Sequence, residues 1–291
     1  MNEKKVGIVK VGTIPQVVST VIDQLVYSLQ KKGNYHVTGI QTNILVDNQL
    51  EYLFFKEPES GKRLCSFSNA SWLQQHDNLV KNFDILYIFY NEEEEIDLTN
   101  LKKDDECQIL FIPINIFSEQ NPDIYHLGFD SAVNEVVNSI LKVKDTAGSL
   151  QFSNKRLFLI NIPGKKAGVF LKTAAAALQC EIIEEVSNAE IERVTDKLTQ
   201  RYQDGSNYAL ILFNETIAEV DIKEQISAAL DLDFRSVVID EAQCIGGYPT
   251  VSDRVYANEL AEKMVQWAGE GHSFEIVRLE RSNQIKIDSF E

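Results

Sequence analysis

Cysteine and histidine are scarce in this 291-residue chain, with four of each. The cysteines, at 65, 107, 180 and 244, share no metal-ligand spacing and are too few for a disulfide scaffold. His36, His76, His126 and His272 fall in separate segments without a carboxylate or cysteine at a suggestive spacing, and each reads as a surface or strand-end residue. No Cys-His, Ser-His-Asp or zinc constellation emerges. No apolar run approaches the roughly 18 to 20 residues that cross a bilayer. Basic residues are outnumbered 28 to 44, for a formal net charge of −16. That balance argues against nucleic acid and anionic membrane surfaces as partners, and against highly anionic nucleotides unless cations cluster locally. The N-terminus runs from Met1-Asn2-Glu3-Lys4-Lys5 straight into strand-like Val6-Gly7-Ile8-Val9, without a cleavable signal pattern. A reducing cytoplasm is the expected setting.

What is present is an ordinary globular composition, 44% hydrophobic and 25% charged, which excludes a disordered chain. The length accommodates two modest domains or one large one. Short apolar runs at 6–11, 35–40, 84–90, 108–113, 156–162, 209–213, 236–239 and 274–279 alternate with helical periods at 17–30, 131–144, 166–178, 188–202, 223–230 and 252–267. This is the α/β pattern of parallel strands covered by helices. Several strands lack polar alternation, as strands buried on both faces should. In the 131–144 segment, Val133, Val136, Val137, Ile140 and Leu141 fall on one apolar face, with Asp130 or Ser131 able to cap it. Gly246-Gly247 with Pro249 predicts a turn before a helix capped by Ser252. The small-residue run 173–177 suits close helix packing, and Glu92 to Glu95 reads as a solvated loop after a buried strand. No repeat or low-complexity linker is visible.

Two segments carry more specific information. The first runs Gly128-Phe129-Asp130-Ser131-Ala132-Val133-Asn134-Glu135-Val136-Val137 and on to Lys144-Asp145-Thr146-Ala147-Gly148-Ser149. The second is Gly246-Gly247-Tyr248-Pro249-Thr250-Val251-Ser252-Asp253-Arg254-Val255. Together they resemble the ATP-dependent 6-phosphofructokinase family, which carries I-G-F-D-T-A-x-x-T-V-V-E-A-I-D-x-x-R-D-T-A and later Q-R-G-G-x-P-x-x-x-D-R. The resemblance implies two doubly wound (Rossmann-like) lobes: 1–130 plus 246–272, resembling the ATP lobe, and 131–245 plus 273–291, resembling the sugar-phosphate lobe. It also implies oligomers, since family members are typically tetramers.

The same resemblance locates the chemistry, and there the chain departs. The family's first phosphate turn, G-G-D-x-P-G, becomes Gly12-Thr13-Ile14-Pro15-Gln16 after Val11, leaving Gly12 as a cofactor-binding remnant. Its G-G-D-G-S turn, which holds ATP phosphates and magnesium, becomes Phe89-Tyr90-Asn91-Glu92-Glu93-Glu94-Glu95. Bulky side chains there block backbone approach, and carboxylates repel a polyphosphate; a magnesium-assisted role for Glu92 or Glu93 is the alternative. The family's P-x-T-I-D-N-D becomes Pro113-Ile114-Asn115-Ile116-Phe117-Ser118-Glu119, putting Phe117 at the position of the catalytic base. A phenyl ring accepts no proton, and general-base help is worth roughly 10²- to 10⁴-fold. Glu119 serves as base only if the register slips, which the gap-free count from Pro113 to Gly128 disfavours.

Substrate positions are mixed. Arg156 and Arg235 match two arginines that reach the sugar 6-phosphate from a neighbouring subunit, or else simply end strands in solvent. Glu215 matches the family's sugar-hydroxyl acceptor, and Lys165 keeps a cation in the loop that reads M-G-R-x-x-G-D in the family. The family's H-x-Q-R-G-G loses its histidine and arginine around Glu241. Effector-site arginines of the first helix fall at Ile22 and Val26, with Lys144 a remnant of a third. The expectation is a phosphofructokinase-like pseudoenzyme with a binding, regulatory or structural role. Its implied partners are itself or a genuine phosphofructokinase subunit, with a sugar phosphate as ligand. The alternative is an active 6-phosphofructokinase or other sugar-phosphate kinase with a rebuilt site; ATP and magnesium enter as cofactors only under that alternative.

Overall fold

The computed structural model describes residues 3–43, 49–55, 61, 64–94, 96, 98, 107–117, 126–150, 152–164, 168–271, 274–280 and 284–290. The chain splits into two compact units. The first comprises Met1–Ile116, Asp123–Asp130 and Tyr248–Glu291; the second comprises Phe117–Pro122 and Ser131–Gly247.

In the first unit, β1 (Lys4–Val11), α1 (Val17–Lys32), β2 (Tyr35–Asn43), β3 (Gln49–Phe54), α2 (Asn69–Val80), β4 (Ile85–Asn91) and β5 (Gln108–Ile114) come from the leading part of the chain. Helix α3 (Phe129–Ser149) begins in the unit's middle segment, Asp123–Asp130, and from Ser131 onward belongs to the second unit. Helix α8 (Val251–Glu270), β10 (Glu275–Glu280) and β11 (Gln284–Ser289) close the unit. The strands form one seven-stranded sheet in the order β11-β10-β5-β4-β1-β2-β3. Its interior pairs are parallel, and β3 and β11 add antiparallel edges. Both faces are covered, which is why β4 is buried at every residue. Leu86, Ile88 and Tyr90 join Trp72 and Leu79 of α2 in one cluster. Tyr87 points the other way, and its hydroxyl donates to the Met264 carbonyl of α8 at 2.9 Å. Helix α1 ends at Gly33, whose φ of 78° supplies a left-handed cap.

The second unit carries β6 (Arg156–Ile162), α4 (Val169–Leu178), β7 (Glu181–Ile183), α5 (Asn188–Gln203), β8 (Tyr208–Asn214), α6 (Glu219–Ser227), β9 (Asp233–Val238) and the short α7 (Glu241–Ile245). Its four strands are all parallel, in the order β7-β8-β6-β9. Leu157, Leu159, Ile211 and Phe213 face Ile191, Val194 and Leu198 of α5 and Ile222 and Ile226 of α6. Both units are therefore helix-covered parallel α/β layers.

Four expectations are corrected. Residues 273–291 do not belong with the second unit: β10 pairs in parallel with β5, and β11 pairs with β10, because the chain leaving α8 meets the open edge of the first sheet. Ser252 does not cap α8. Thr250 does, its side chain accepting from the Asp253 N–H, since the helix starts at Val251. Neither Asp130 nor Ser131 is a cap of α3, which already begins at Phe129 and leaves both inside its first turn. Leu141 on α3 is exposed while Val136 and Ile140 are fully buried, so the buried stripe is narrower than the periodicity suggested.

Candidate functional site

At the carboxyl edge of the first sheet, β1 ends in Val11 and turns at Gly12, whose φ of +78° lies in the left-handed region. Its N–H donates to the Phe67 carbonyl at 2.9 Å. The next amide, Thr13 N–H, donates to the Glu94 carboxylate. Glu94 lies in a single 3₁₀ turn, Glu92–Glu94, directly after β4. The same Oε1 also accepts from Asn91 Nδ2 at 3.1 Å, and Asn91 Oδ1 accepts from the Glu93 N–H at 3.0 Å. A Cβ at Gly12 would lie 2.6 Å from Glu94 Oε2, so the carboxylate packs on the bare glycine. The acidic run is thus not simply a solvated loop: Glu94 is folded onto the turn that was expected to retain a nucleotide remnant.

Further along the same edge, Asn115 Nδ2 donates to Glu92 Oε2 at 3.0 Å. Phe117 is buried and sits edge-on to Phe170 of α4, with ring centroids 5.0 Å apart and planes at 84°. The residue at the family's base position is thus a packed aromatic. Glu119 lies outside the described residues.

The two best-matched segments meet directly. Asp253, fully buried, accepts the Gly128 N–H at 2.8 Å, and the Thr250 hydroxyl donates to Asp130 Oδ2 at 2.6 Å. Gly128 has a φ of +95°, and a Cβ there would come within 3.0 Å of Pro15. These shared motif residues build a junction between the start of α3 and the start of α8. Their chemistry here is scaffolding.

In the second unit the expected substrate residues separate. Arg156 opens β6 and Arg235 lies on the adjacent β9, and both guanidinium groups reach one acceptor, Asp233. Arg156 makes the tighter contact, at 2.6 Å and 2.8 Å, and its guanidinium also stacks on Phe152 at 3.7 Å. These arginines hold the Asp233 carboxyl below the usual carboxylate range. Glu215 is exposed at the opposite end of the sheet, one residue past Asn214, which pairs with Ile162 at the far end of β6. Six strand residues separate the levels of Arg156 and Asn214, about 20 Å. Arginines and Glu215 therefore do not converge within one chain. Lys165 lies outside the described residues.

Asn214 was missed by sequence reasoning. It is 1% exposed, its Oδ1 accepts from Thr216, and its Nδ2 has no hydrogen-bond partner among the described residues. Only its neighbour Glu215 carried a signal. The carboxyl ends of parallel strands are where α/β sheets bind ligands, and Gly164 follows β6 there with a φ of 124°.

The remaining positions lack free chemistry. Ile22 and Val26 face the core. Lys144 donates to the Leu178 carbonyl at 3.3 Å and borders a cavity of about 90 Å³, where Lys197 is tied to Glu181 and Arg201 to the Tyr208 carbonyl. Burial pushes the Cys180 and Cys244 thiols up to about 12, which keeps them protonated and poorly nucleophilic. His76 is buried rather than at the surface, beside Trp72, because α2 turns that face to the core. Burial pulls His126 down to about 4. His272 lies outside the described residues. Among the described residues, no group of three His, Cys, Asp or Glu side chains is placed to hold a metal ion.

Two helix-covered parallel units make this a doubly wound α/β protein, and solved structures identify the fold as that of phosphofructokinases. Over 99% of this chain and 44% of the other, it is similar to the phosphofructokinase of Saccharomyces cerevisiae, with a TM-score of 0.75 at 17% identity. Over 98% of this chain and 82% of the other, it is similar to a pyrophosphate-dependent phosphofructokinase from Marinobacter aquaeolei, with a TM-score of 0.73 at 15% identity. A family model described as Phosphofructokinase matches residues 80–268. The chain belongs to the phosphofructokinase family. Curated relatives include ATP-dependent 6-phosphofructokinases of Fusobacterium nucleatum, 29% identical over 188 residues, and Staphylococcus aureus, 29% identical over 189 residues. Each match covers 64% of this chain and 56% of the relative, so the matched region spans about half the length of those proteins.

Proposed function

We propose that this phosphofructokinase-family protein does not transfer phosphate from ATP by the family's route, and acts as a sugar-phosphate-binding or structural subunit. The observation that carries this reading is Phe117. The ring is 5% exposed and packed edge-on against Phe170, so the position matching the proton acceptor holds a group that can neither accept a proton nor move aside freely. The seating of Glu94 on the Gly12 turn supports it, because a polyphosphate and this carboxylate cannot share that space.

A sugar phosphate remains a reasonable ligand. Asn214, Glu215 and the Gly164 turn offer hydrogen-bonding groups at one end of the second sheet. Arg156 and Arg235 offer paired guanidinium donors at the other. A site using both sets takes residues from two chains, which favours self-association or association with a related subunit. Melting curves test this reading. Fructose 6-phosphate should raise the transition of the wild type, Arg235→Ala should weaken the shift, and ATP with magnesium should leave it unchanged. Stabilisation by ATP, or none by any sugar phosphate, would count against it.

The second reading is an active kinase with a rebuilt site. The relatives' shared description as ATP-dependent 6-phosphofructokinases favours it. It requires a new base, with Glu119 the candidate, and it predicts turnover that is lost in Glu119→Ala.

A further inference from the structure

β1 carries a lysine between apolar neighbours. Val9 and Val11 turn toward α2, so Lys10 faces the side that Tyr87 shares with α8, against which α1 packs. It lies beside Phe89 in the parallel pairing of β1 with β4. Lys10 is 9% exposed, and no hydrogen bond or ion pair holds it among the described residues. Nearby carboxylates are engaged by other donors. Asp23 of α1 accepts the Gly61 N–H at 2.8 Å, Asp253 of α8 accepts that of Gly128, and Glu94 accepts from Thr13 and Asn91. Burial pushes the Tyr87 hydroxyl upward, which keeps it neutral. Burial also holds the Lys10 amine below its ordinary 10.5, with the charge of Cys65 acting in the opposite direction. Helix α1 starts at Val17, one short turn after β1 ends at Val11. Its first turn holds no acid and Gln16 makes no side-chain cap, so the positive end of its dipole is not offset there. A lysine in such surroundings is a nucleophile rather than an ion-pair partner.

We propose that Lys10 is a carbon dioxide site, where the buried amine adds to the gas and becomes a carbamate. Nζ bonds to the carbon, one C=O electron pair moves onto oxygen, and the amine gives one proton to solvent. No oxidant, reductant or further reactant is needed. The reaction makes three demands, and the position of Lys10 answers each. It needs a neutral amine, which burial without an acidic partner favours. It needs a ligand able to reach a side chain that is 9% exposed, and carbon dioxide is small and uncharged. It yields an anion, and the open positive end of α1 offsets the cost of holding negative charge there. Larger carbonyl compounds meet only the first demand. The proposal stands whether or not the protein binds a sugar phosphate or turns over a substrate.

The test equilibrates the full chain with isotope-labelled bicarbonate near neutral pH and traps carbamates as ethyl esters with triethyloxonium ion. Digestion and mass spectrometry then locate the label. Lys10 should carry roughly tenfold more label than Lys31, an exposed lysine of α1. The preference should vanish when trapping is repeated in urea, because it depends on burial. Labelling at Lys10 should rise with pH and level off below the ordinary lysine value of 10.5. Lys10→Arg, shown by circular dichroism to be folded, should lose the labelled peptide and leave the label at Lys31 unchanged. If that variant does not fold, the comparison of Lys10 with Lys31 in the wild type decides alone. No label at Lys10, or equal label on Lys10 and Lys31, overturns the proposal, as does a preference that survives in urea.

Discussion

Asp253→Ala tests whether the most family-like residues serve the scaffold. Asp253 has no exposed surface, and its Oδ1 accepts the Gly128 N–H at 2.8 Å. Removing the side chain leaves that amide unsatisfied in a site water does not reach. The loss of a hydrogen bond to a charged acceptor costs about 1.5–3 kcal/mol, with the deleted volume adding to it. At about 2–4 °C per kcal/mol for chains of this size class, the melting temperature should fall by roughly 3–12 °C. The neighbouring Ser252 is exposed, so Ser252→Ala should shift stability by no more than about 0.5 kcal/mol. The assay is urea unfolding of all three proteins, followed by tryptophan fluorescence. Trp72 and Trp267 both belong to the first unit and are fully buried, so the signal reports on the unit that holds Asp253. If Asp253→Ala unfolds at the same urea concentration as Ser252→Ala, the junction is not structural and the reasoning fails.

Other perturbations read other contacts. Phe117→Ala should cost about 3–5 kcal/mol by emptying the space beside Phe170, measurable by the same unfolding curves. Phe117→Asp, which restores the family's residue type, should also destabilise and should produce no turnover, since Glu94 still fills the Gly12 turn. Asp233 is held below its ordinary 3.8 by Arg156 first and Arg235 second. Its contribution to stability is therefore present above 3.8 and lost as pH falls through its lower folded value. Arg156→Ala should accordingly cost more near neutrality than in strong acid. His126 titrates at about 4 when folded against an ordinary 6.5. The unfolded chain binds the extra proton in that window, so stability should fall as pH drops from 6.5 to 4, and His126→Gln should flatten the slope.

Much of the fold was legible because burial on both faces leaves a strong mark. Ile85–Asn91 and Tyr208–Asn214 are apolar runs that read as interior parallel strands without help from any relative. Elements with one wet face were harder. The edge strand β3 alternates Gln49, Glu51 and other exposed side chains, and β11 is similarly polar, so neither stood out from a loop. Helix α2 hides its core face behind Ser71, Trp72 and His76, polar or amphipathic side chains that blur its period. The tail went to the wrong unit because pairing of β10 with β5 spans more than 160 residues, and no local signal encodes it.

The site was legible in identity but not in partners. Phe117 at the base position and the loss of glycines after β4 were visible as substitutions. That Glu94 would fold back onto Gly12 was not visible, because the contact joins the ends of two different strands. The convergence of Arg156 and Arg235 on Asp233 likewise depends on the pairing of β6 with β9. Asn214 carried no signal, since a lone asparagine at a strand end is ordinary and only burial without a partner for its amide nitrogen makes it informative.

Turnover itself is the sharpest test of the central claim. Purified protein is supplied with ATP, magnesium and fructose 6-phosphate, and ADP release is followed by a coupled assay. The packed ring of Phe117 and the seated carboxylate of Glu94 predict no release above a protein-free control. Sustained ADP production that scales with enzyme concentration and disappears in Glu119→Ala would contradict the account.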